Sequence, residues 1–167
     1  AAKLLYDKCN MEEGVEITLT KRIPIAAGMA GGSTDAAAAL IGMNKLFDLG
    51  LSQERLMELG VKIGADVPYC IMGGTALSEG IGEILTPLQP MPHCYILIAK
   101  PRISVSTRFV YENLEADKLA YHPDIDGILE GLEAQDIKKI TSCMGNVLEK
   151  VTIEEYPVIE DIKNVMK

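Results

Sequence analysis

The amino-acid sequence predicts an α+β fold in two parts, residues 1–90 and residues 91–167, on three observations. An alternating segment from Val15 to Ile23 runs into a glycine-rich loop and then a helical pattern. A hairpin pattern surrounds Gly80-Ile81-Gly82. Pro87, Pro90 and Pro92 then interrupt the chain before a strand-then-helix pattern restarts.

The elements follow in order. Ala1 to Asn10 is a mixed helical segment. Val15, Ile17 and Leu19 alternate with Glu16, Thr18 and Thr20, and Ile23 resumes the pattern, which is the period of a half-buried strand. Small residues and glycines fill Pro24 to Thr34, after which Ala36, Leu40, Met43 and Phe47 recur at helical spacing. Leu49-Gly50 closes that helix. Ser52 can cap the next one, whose apolar face, Leu56, Leu59 and Ile63, carries it to Gly64. Gly64-Ala65-Asp66-Val67-Pro68 breaks the pattern and places Asp66 on a turn, with Pro68 suited to open a short helix. Thr75 to Ser78 and Glu83 to Leu85 flank the hairpin turn. The proline cluster can continue neither a helix nor a central strand, so it marks the boundary between the parts. Beyond it, Tyr95 to Ala99 reads as an apolar strand, Ser106 or Thr107 as the cap of a helix through Tyr111, and Gly127–Ala134, Gln135–Met144 and Pro157–Met166 as helices.

Composition narrows the functional classes. Of 167 residues, 48% are hydrophobic and 24% charged, enough apolar material for a sizeable core, so a disordered chain is excluded. The net charge of -8 lacks the basic footprint of a nucleic-acid binder. No apolar run approaches the ~20 residues that a membrane-spanning helix needs. Cys9, Cys70, Cys94 and Cys143 are scattered, with no CxxC pairing, which suggests neither a zinc site nor a disulfide framework but reduced thiols and a cytoplasmic setting. His93 and His122 lie beside prolines and read as surface histidines, and Glu154-Glu155 and Glu160-Asp161 as a solvated face.

The chemistry concentrates in the glycine loop. Gly28, Gly31 and Gly32 allow positive φ and a close backbone approach to a ligand, and the helix that follows offers free N–H groups and a partial positive charge, a combination that binds phosphate. Neither GxxxxGK[ST] nor GxGxxG is present, so this is a different kind of phosphate loop, or else a glycine cluster serving only tight packing. Asp35, in the first helical turn, favours the helix dipole but would repel a bound polyphosphate unless a cation intervened or its side chain pointed away. Helix-end stabilisation is its expected role.

Pro24-Ile25-Ala26-Ala27-Gly28-Met29-Ala30-Gly31-Gly32-Ser33-Thr34-Asp35-Ala36-Ala37 resembles the central ATP-phosphate motif of the GHMP kinase superfamily. Three further motifs fit the same resemblance: Gly64-Ala65-Asp66-Val67-Pro68, Glu79-Gly80-Ile81-Gly82-Glu83, and Pro101 to Thr107. Together they are most similar to the branch of the superfamily that serves non-mevalonate isoprenoid synthesis. The resemblance implies a partial S5-like, ATP-binding N-terminal lobe over residues 1–90 and a partial ferredoxin-like C-terminal lobe over residues 91–167. It implies phosphoryl transfer from ATP to the tertiary C2 hydroxyl of 4-diphosphocytidyl-2-C-methyl-D-erythritol, with Mg2+ carried by the nucleotide and no metal ligand supplied by the chain. Pro24, Ala26, Ala27, Gly28, Met29, Ala30, Gly31, Gly32, Ser33 and Thr34 would cradle the phosphates. Asp66 would take the hydroxyl proton, helped by a neighbouring lysine, and Thr107 would border the substrate pocket. The expected partner is a small molecule in the cytoplasm, with no nucleic acid and no membrane; a homodimer is compatible with the pattern.

The chain departs from that family at both ends. The family's N-terminal Lys-x-Asn motif and its C-terminal glycine motif are missing, so the 167 residues read as the middle of a longer kinase, and the chain alone is expected to lack activity. Two alternatives stay open: another small-molecule kinase of the superfamily, acting on homoserine or mevalonate, and a non-catalytic anion-binding module in which Asp66 is only a turn cap.

Overall fold

A computed structural model describes residues 1–12, 14–25, 27–116, 119 and 121–166. By internal contact the chain divides into two units, residues 1–25 with 29–88, and residues 26–28 with 89–167.

The first unit is built on four helices and a hairpin. They are α1 (Ala2–Cys9), α2 (Gly31–Leu46), α3 (Gln53–Val61), α4 (Val67–Met72), β1 (Ala76–Glu79) and β2 (Ile84–Pro87). Leu5, Ala37, Leu40, Met43, Leu56, Leu59, Val67 and Ile71 come together as its buried core, one or more from each helix. The spacing of Ala37, Leu40 and Met43 puts all three on one face of α2, which is what lets a 16-residue helix of small residues bury a continuous stripe. Ser52 caps α3, its hydroxyl accepting from Arg55 N–H at 3.2 Å, as its position before Gln53 and Glu54 predicts. The α3 helix stops at Val61, short of the expected Gly64, and Ile63 is left exposed beyond it. Gly60 is the point where α3 meets α4: a Cβ there would lie 2.9 Å from Val67 Cγ1 and 3.1 Å from Ile71 Cδ1. β1 and β2 pair antiparallel, Ala76 opposite Pro87 and Glu79 opposite Ile84. Ser78 Oγ donates to Gly82 O at 2.9 Å across the turn.

In the second unit the helices are α5 (Thr107–Glu112), α6 (Ile125–Glu133), α7 (Ile137–Cys143), α8 (Glu149–Glu155) and α9 (Val158–Met166). Each of the first three has a side-chain cap. Ser106 Oγ accepts from Phe109 N–H, Asp124 from Gly127 N–H, and Asp136 from the N–H groups of Lys138 and Lys139. Val110, Leu132 and Ile140 are buried, and Gly131 admits Ile140 so closely that a Cβ would stand 2.8 Å from Ile140 Cγ1. Lys139 pairs with Glu130 between α6 and α7, and Lys163 with Glu149 between α8 and α9. The α8 helix has no counterpart among the helical segments read from the sequence.

Two expected strands are not formed among the described residues. Val15 to Ile23 and Tyr95 to Ala99 carry no regular secondary structure, and Leu19 and Tyr95 are 60% and 97% exposed. The alternating or apolar pattern of a strand is local, whereas its hydrogen-bond ladder must come from a neighbouring segment, and no described segment pairs with either one in a ladder. Among the described residues no helix is long and apolar enough to cross a membrane.

Candidate active site

The start of α2 creates the first half of the site. Gly28 (φ 65°) and Ala30 (φ 47°) both take left-handed backbone, and Ala30 stands as N-cap with no side chain to cap the helix behind it. The expectation that Gly31 and Gly32 supply positive φ is corrected: both are already helical, and the reversal is made by Gly28 and Ala30. A non-glycine residue held left-handed is strained by roughly 1–3 kcal/mol, and such strain persists where the surroundings require it. Among the described residues the first helical N–H groups, at Gly31, Gly32 and Ser33, have no hydrogen-bond acceptor; the first regular bond runs from Thr34 N–H to Ala30 O at 2.8 Å. Three donors therefore converge at the positive end of a 16-residue helix.

The two inner glycines serve different ends. A Cβ on Gly32 would meet nothing within 4 Å, so the space in front of it is open. One on Gly31 would stand 3.0 Å from Ile23 Cγ2 and 3.1 Å from Lys21 Nζ, so Gly31 is small because the incoming chain crosses it. Of the two hydroxyls read from the sequence, that of Thr34 is already engaged, Oγ1 donating to Ala30 O at 3.0 Å. The Ser33 hydroxyl makes no hydrogen bond with a described residue and is the one left to offer.

Asp66 enters from α4. It is that helix's N-cap residue, with helical backbone (φ -82°, ψ -10°), yet its side chain makes no capping hydrogen bond, and it has no ion pair with a described residue. The adjoining Val67 and Pro68 are buried and anchor the turn, leaving the carboxylate exposed. One contact ties this turn to the glycine loop. Thr34 Oγ1 lies 3.6 Å from Cys70 Sγ, and Cys70 N–H donates to Asp66 O at 3.1 Å, so the first turn of α2 rests on the first turn of α4. The loop's exit thus touches the helical turn that Asp66 begins, within the first unit.

The remaining candidates fall elsewhere. Pro24 and Met29 are exposed along the loop, and Ala26 lies outside the described residues. Ala27 and Gly28 belong by contact to the second unit, where they line a cavity of about 660 Å³ together with Thr107, Asn146 and Lys163 among mainly apolar side chains. Thr107 is the first helical residue of α5 and caps nothing, since Ser106 supplies the cap.

Lys21 was missed by the reading of the sequence, and Asp35 was misplaced by it. Because α2 begins at Gly31, Asp35 is its fifth residue, past the first turn, and pairs with Lys21 rather than with the helix end. The available signal was Lys21-Arg22, a basic pair in an acidic chain immediately before the loop. Among the described residues no group of three or more His, Cys, Asp or Glu side chains is arranged to hold a metal ion.

Comparison with known proteins adds descent to this geometry. Residues 1–74 match the family described as GHMP kinases N terminal domain. The 4-diphosphocytidyl-2-C-methyl-D-erythritol kinase of Lachnoclostridium phytofermentans is 60% identical over 163 residues, 98% of this chain and 56% of that protein. The kinase of the same name from Lachnospira eligens is 58% identical over 166 residues, 99% of this chain and 58% of that one. A crystal structure of 4-(cytidine 5'-diphospho)-2C-methyl-D-erythritol kinase superposes with a TM-score of 0.74 at 28% identity, covering 98% of this chain and 58% of its own. The chain thus spans little more than half the length of the relatives it matches. Residues 1–74 thus match the N-terminal domain family of the GHMP kinases, and nearly the whole chain is similar to one part of kinases that share a name.

Proposed function

We propose that this chain supplies the phosphate loop and the proton-accepting carboxylate of a small-molecule kinase that transfers the γ-phosphoryl group of ATP to the C2 hydroxyl of 4-diphosphocytidyl-2-C-methyl-D-erythritol. The observation that carries the reading is the contact between the first turns of α2 and α4, which ties the helix end carrying the N–H donors to the turn that Asp66, whose carboxylate caps nothing, begins. Relatives of that name at 58–60% identity supply the substrate.

The chemistry asks little covalent work of the protein. The N–H groups of Gly31, Gly32 and Ser33, with the Ser33 hydroxyl, fit the oxygens of a polyphosphate, and the open space before Gly32 leaves room for them. Mg2+ carried by the nucleotide would offset charge on the phosphates. Asp66 accepts the proton of the attacking hydroxyl as the new O–P bond forms and ADP departs with the electrons of the broken one. Thr107, at the second unit's cavity, borders the acceptor substrate. Residues 1–90 and 91–167 act as parts of the two lobes, in the cytoplasm.

The test is ADP release from the protein expressed with its full reading frame. Asp66→Asn is expected to lower kcat by about 10²–10⁴ with an unchanged unfolding midpoint. Unaltered turnover would remove the base assignment, and ADP release driven by homoserine or mevalonate in place of the diphosphocytidyl alcohol would replace the substrate.

A further inference from the structure

Lys21 and Asp35 form an ion pair that joins the incoming chain to α2, and its location is unusual. The Lys21 ammonium stands over Gly31, where a Cβ would approach it to 3.1 Å, and Gly31 is the first residue of α2. That is the positive end of the helix, beside three N–H groups without acceptors among the described residues, where a cation is electrostatically disfavoured. Asp35 lies one turn further along the same helix and offsets this repulsion. Both side chains are about one-third exposed, 27% and 30%, so solvent and solutes reach the pair. Ile23 packs at the same crossing, its Cγ2 3.0 Å from the same Cβ position.

We propose that Asp35 is a positioning residue: it holds the Lys21 ammonium at the mouth of the phosphate loop, so that Lys21 adds a charge-assisted contact to the polyphosphate which the backbone donors alone do not give. The inference rests on the proposed phosphate-loop function and deepens it. In a chain of net charge -8, a polyphosphate approaching this loop meets little positive charge, and a single ammonium at the helix end changes that balance. The same pairing answers why an acidic residue near a phosphate loop is tolerated. Asp35 turns toward Lys21, so its charge is neutralised before the nucleotide arrives.

The experiment is a double-mutant cycle in the protein expressed with its full reading frame, reading KM for ATP, kcat, ADP binding by calorimetry and the urea midpoint. Lys21→Met keeps the stem and removes the charge. It is expected to raise KM for ATP and the ADP dissociation constant about tenfold or more, with kcat falling less than KM rises, and with both effects shrinking in high salt. Asp35→Asn is expected to raise KM by a smaller factor when Lys21 is present and to have no further effect in the Lys21→Met background, because it acts through Lys21. Lys21→Arg, which keeps the cation, is expected to recover part of the loss. A Lys21→Met variant with lowered urea midpoint and unaltered ADP affinity would show that the pair is only a structural tie, and would overturn the inference while leaving the kinase reading intact. Lowered KM on Asp35→Asn in the Lys21→Met background would show direct repulsion and overturn the positioning role. A parent protein that binds no ADP overturns both the inference and the function beneath it.

Discussion

Replacing Gly60 by alanine tests how α4, and with it Asp66, is held. The new methyl carbon would lie 2.9 Å from Val67 Cγ1 and 3.1 Å from Ile71 Cδ1. Carbon atoms in a packed interior rest about 3.5–4.0 Å apart, so the methyl intrudes by about half an ångström. Neither neighbour can swing away, because both are branched and buried, at 1% and 7% exposure. Overpacking of this kind costs about 1–3 kcal/mol. Against it stands the helix preference of alanine over glycine, worth at most about 1 kcal/mol at Gly60, the last residue but one of α3. Taken at its full value, that offset leaves a net loss of up to about 2 kcal/mol, or up to about 8 °C in Tm for a chain of this size. Gly42 is the control. It is also helical, in α2, but a Cβ there meets nothing within 4 Å, so Gly42→Ala should raise stability by up to about 1 kcal/mol. Urea unfolding of both variants, with the protein expressed in its full reading frame, reads the opposite signs directly. Since Val67 directly follows Asp66, the displaced α4 should also lower kcat in Gly60→Ala and leave it unchanged in Gly42→Ala. The reasoning fails if Gly60→Ala stabilises the protein as Gly42→Ala does, for then the overlap is relieved at no cost.

Two further outcomes follow from the caps. Ser106→Ala should destabilise by about 0.5–2 kcal/mol because it frees Phe109 N–H, whereas Thr107→Ala should leave the unfolding midpoint nearly unchanged and raise KM for the alcohol substrate; equal losses of stability would mean that both residues cap the helix. At the start of α3, hydrogen bonds from its own backbone N–H and from the Ser52 hydroxyl hold the Glu54 carboxyl below the usual carboxylate range, so its contribution is present above that range and is lost as pH falls through the lowered value. The stability gap between Ser52→Ala and the parent should therefore narrow on acidification without closing, since Arg55 N–H keeps its bond to Ser52 in the parent, and a gap that widens at low pH refutes this.

Which features could be read from the sequence follows from how far their causes extend along the chain. Ser52 and Ser106 cap the helices that their positions predict because each bond closes within three residues. Pro68 opens α4 within one residue of the expected place for the same local reason. The glycine loop and its turning point at Gly28 were legible, but the second turning point was not, because Ala30 carries a left-handed backbone that composition assigns to glycine. Lys21 and Asp35 are 14 residues apart, and only the crossing of the chain over Gly31 makes them partners. Asp66 could be singled out by its motif, yet that its side chain caps nothing is a fact of α4's geometry. The patterns of Val15 to Ile23 and Tyr95 to Ala99 describe what a strand wants, not whether a neighbouring segment supplies it.

The exposed run Tyr95-Ile96-Leu97-Ile98 also bears on how the chain behaves in solution. Four β-favouring residues in a row, with no charge among them and exposures from 58% to 97%, offer unpaired N–H and C=O groups to any similar segment that drifts past. The nearest gatekeepers are Pro92, three residues before the run, and Lys100 and Pro101, two and three residues after it. Molecules of this chain at high concentration are therefore prone to stack edge to edge through this run. A lysine at Ile96 is the substitution that would keep them dispersed.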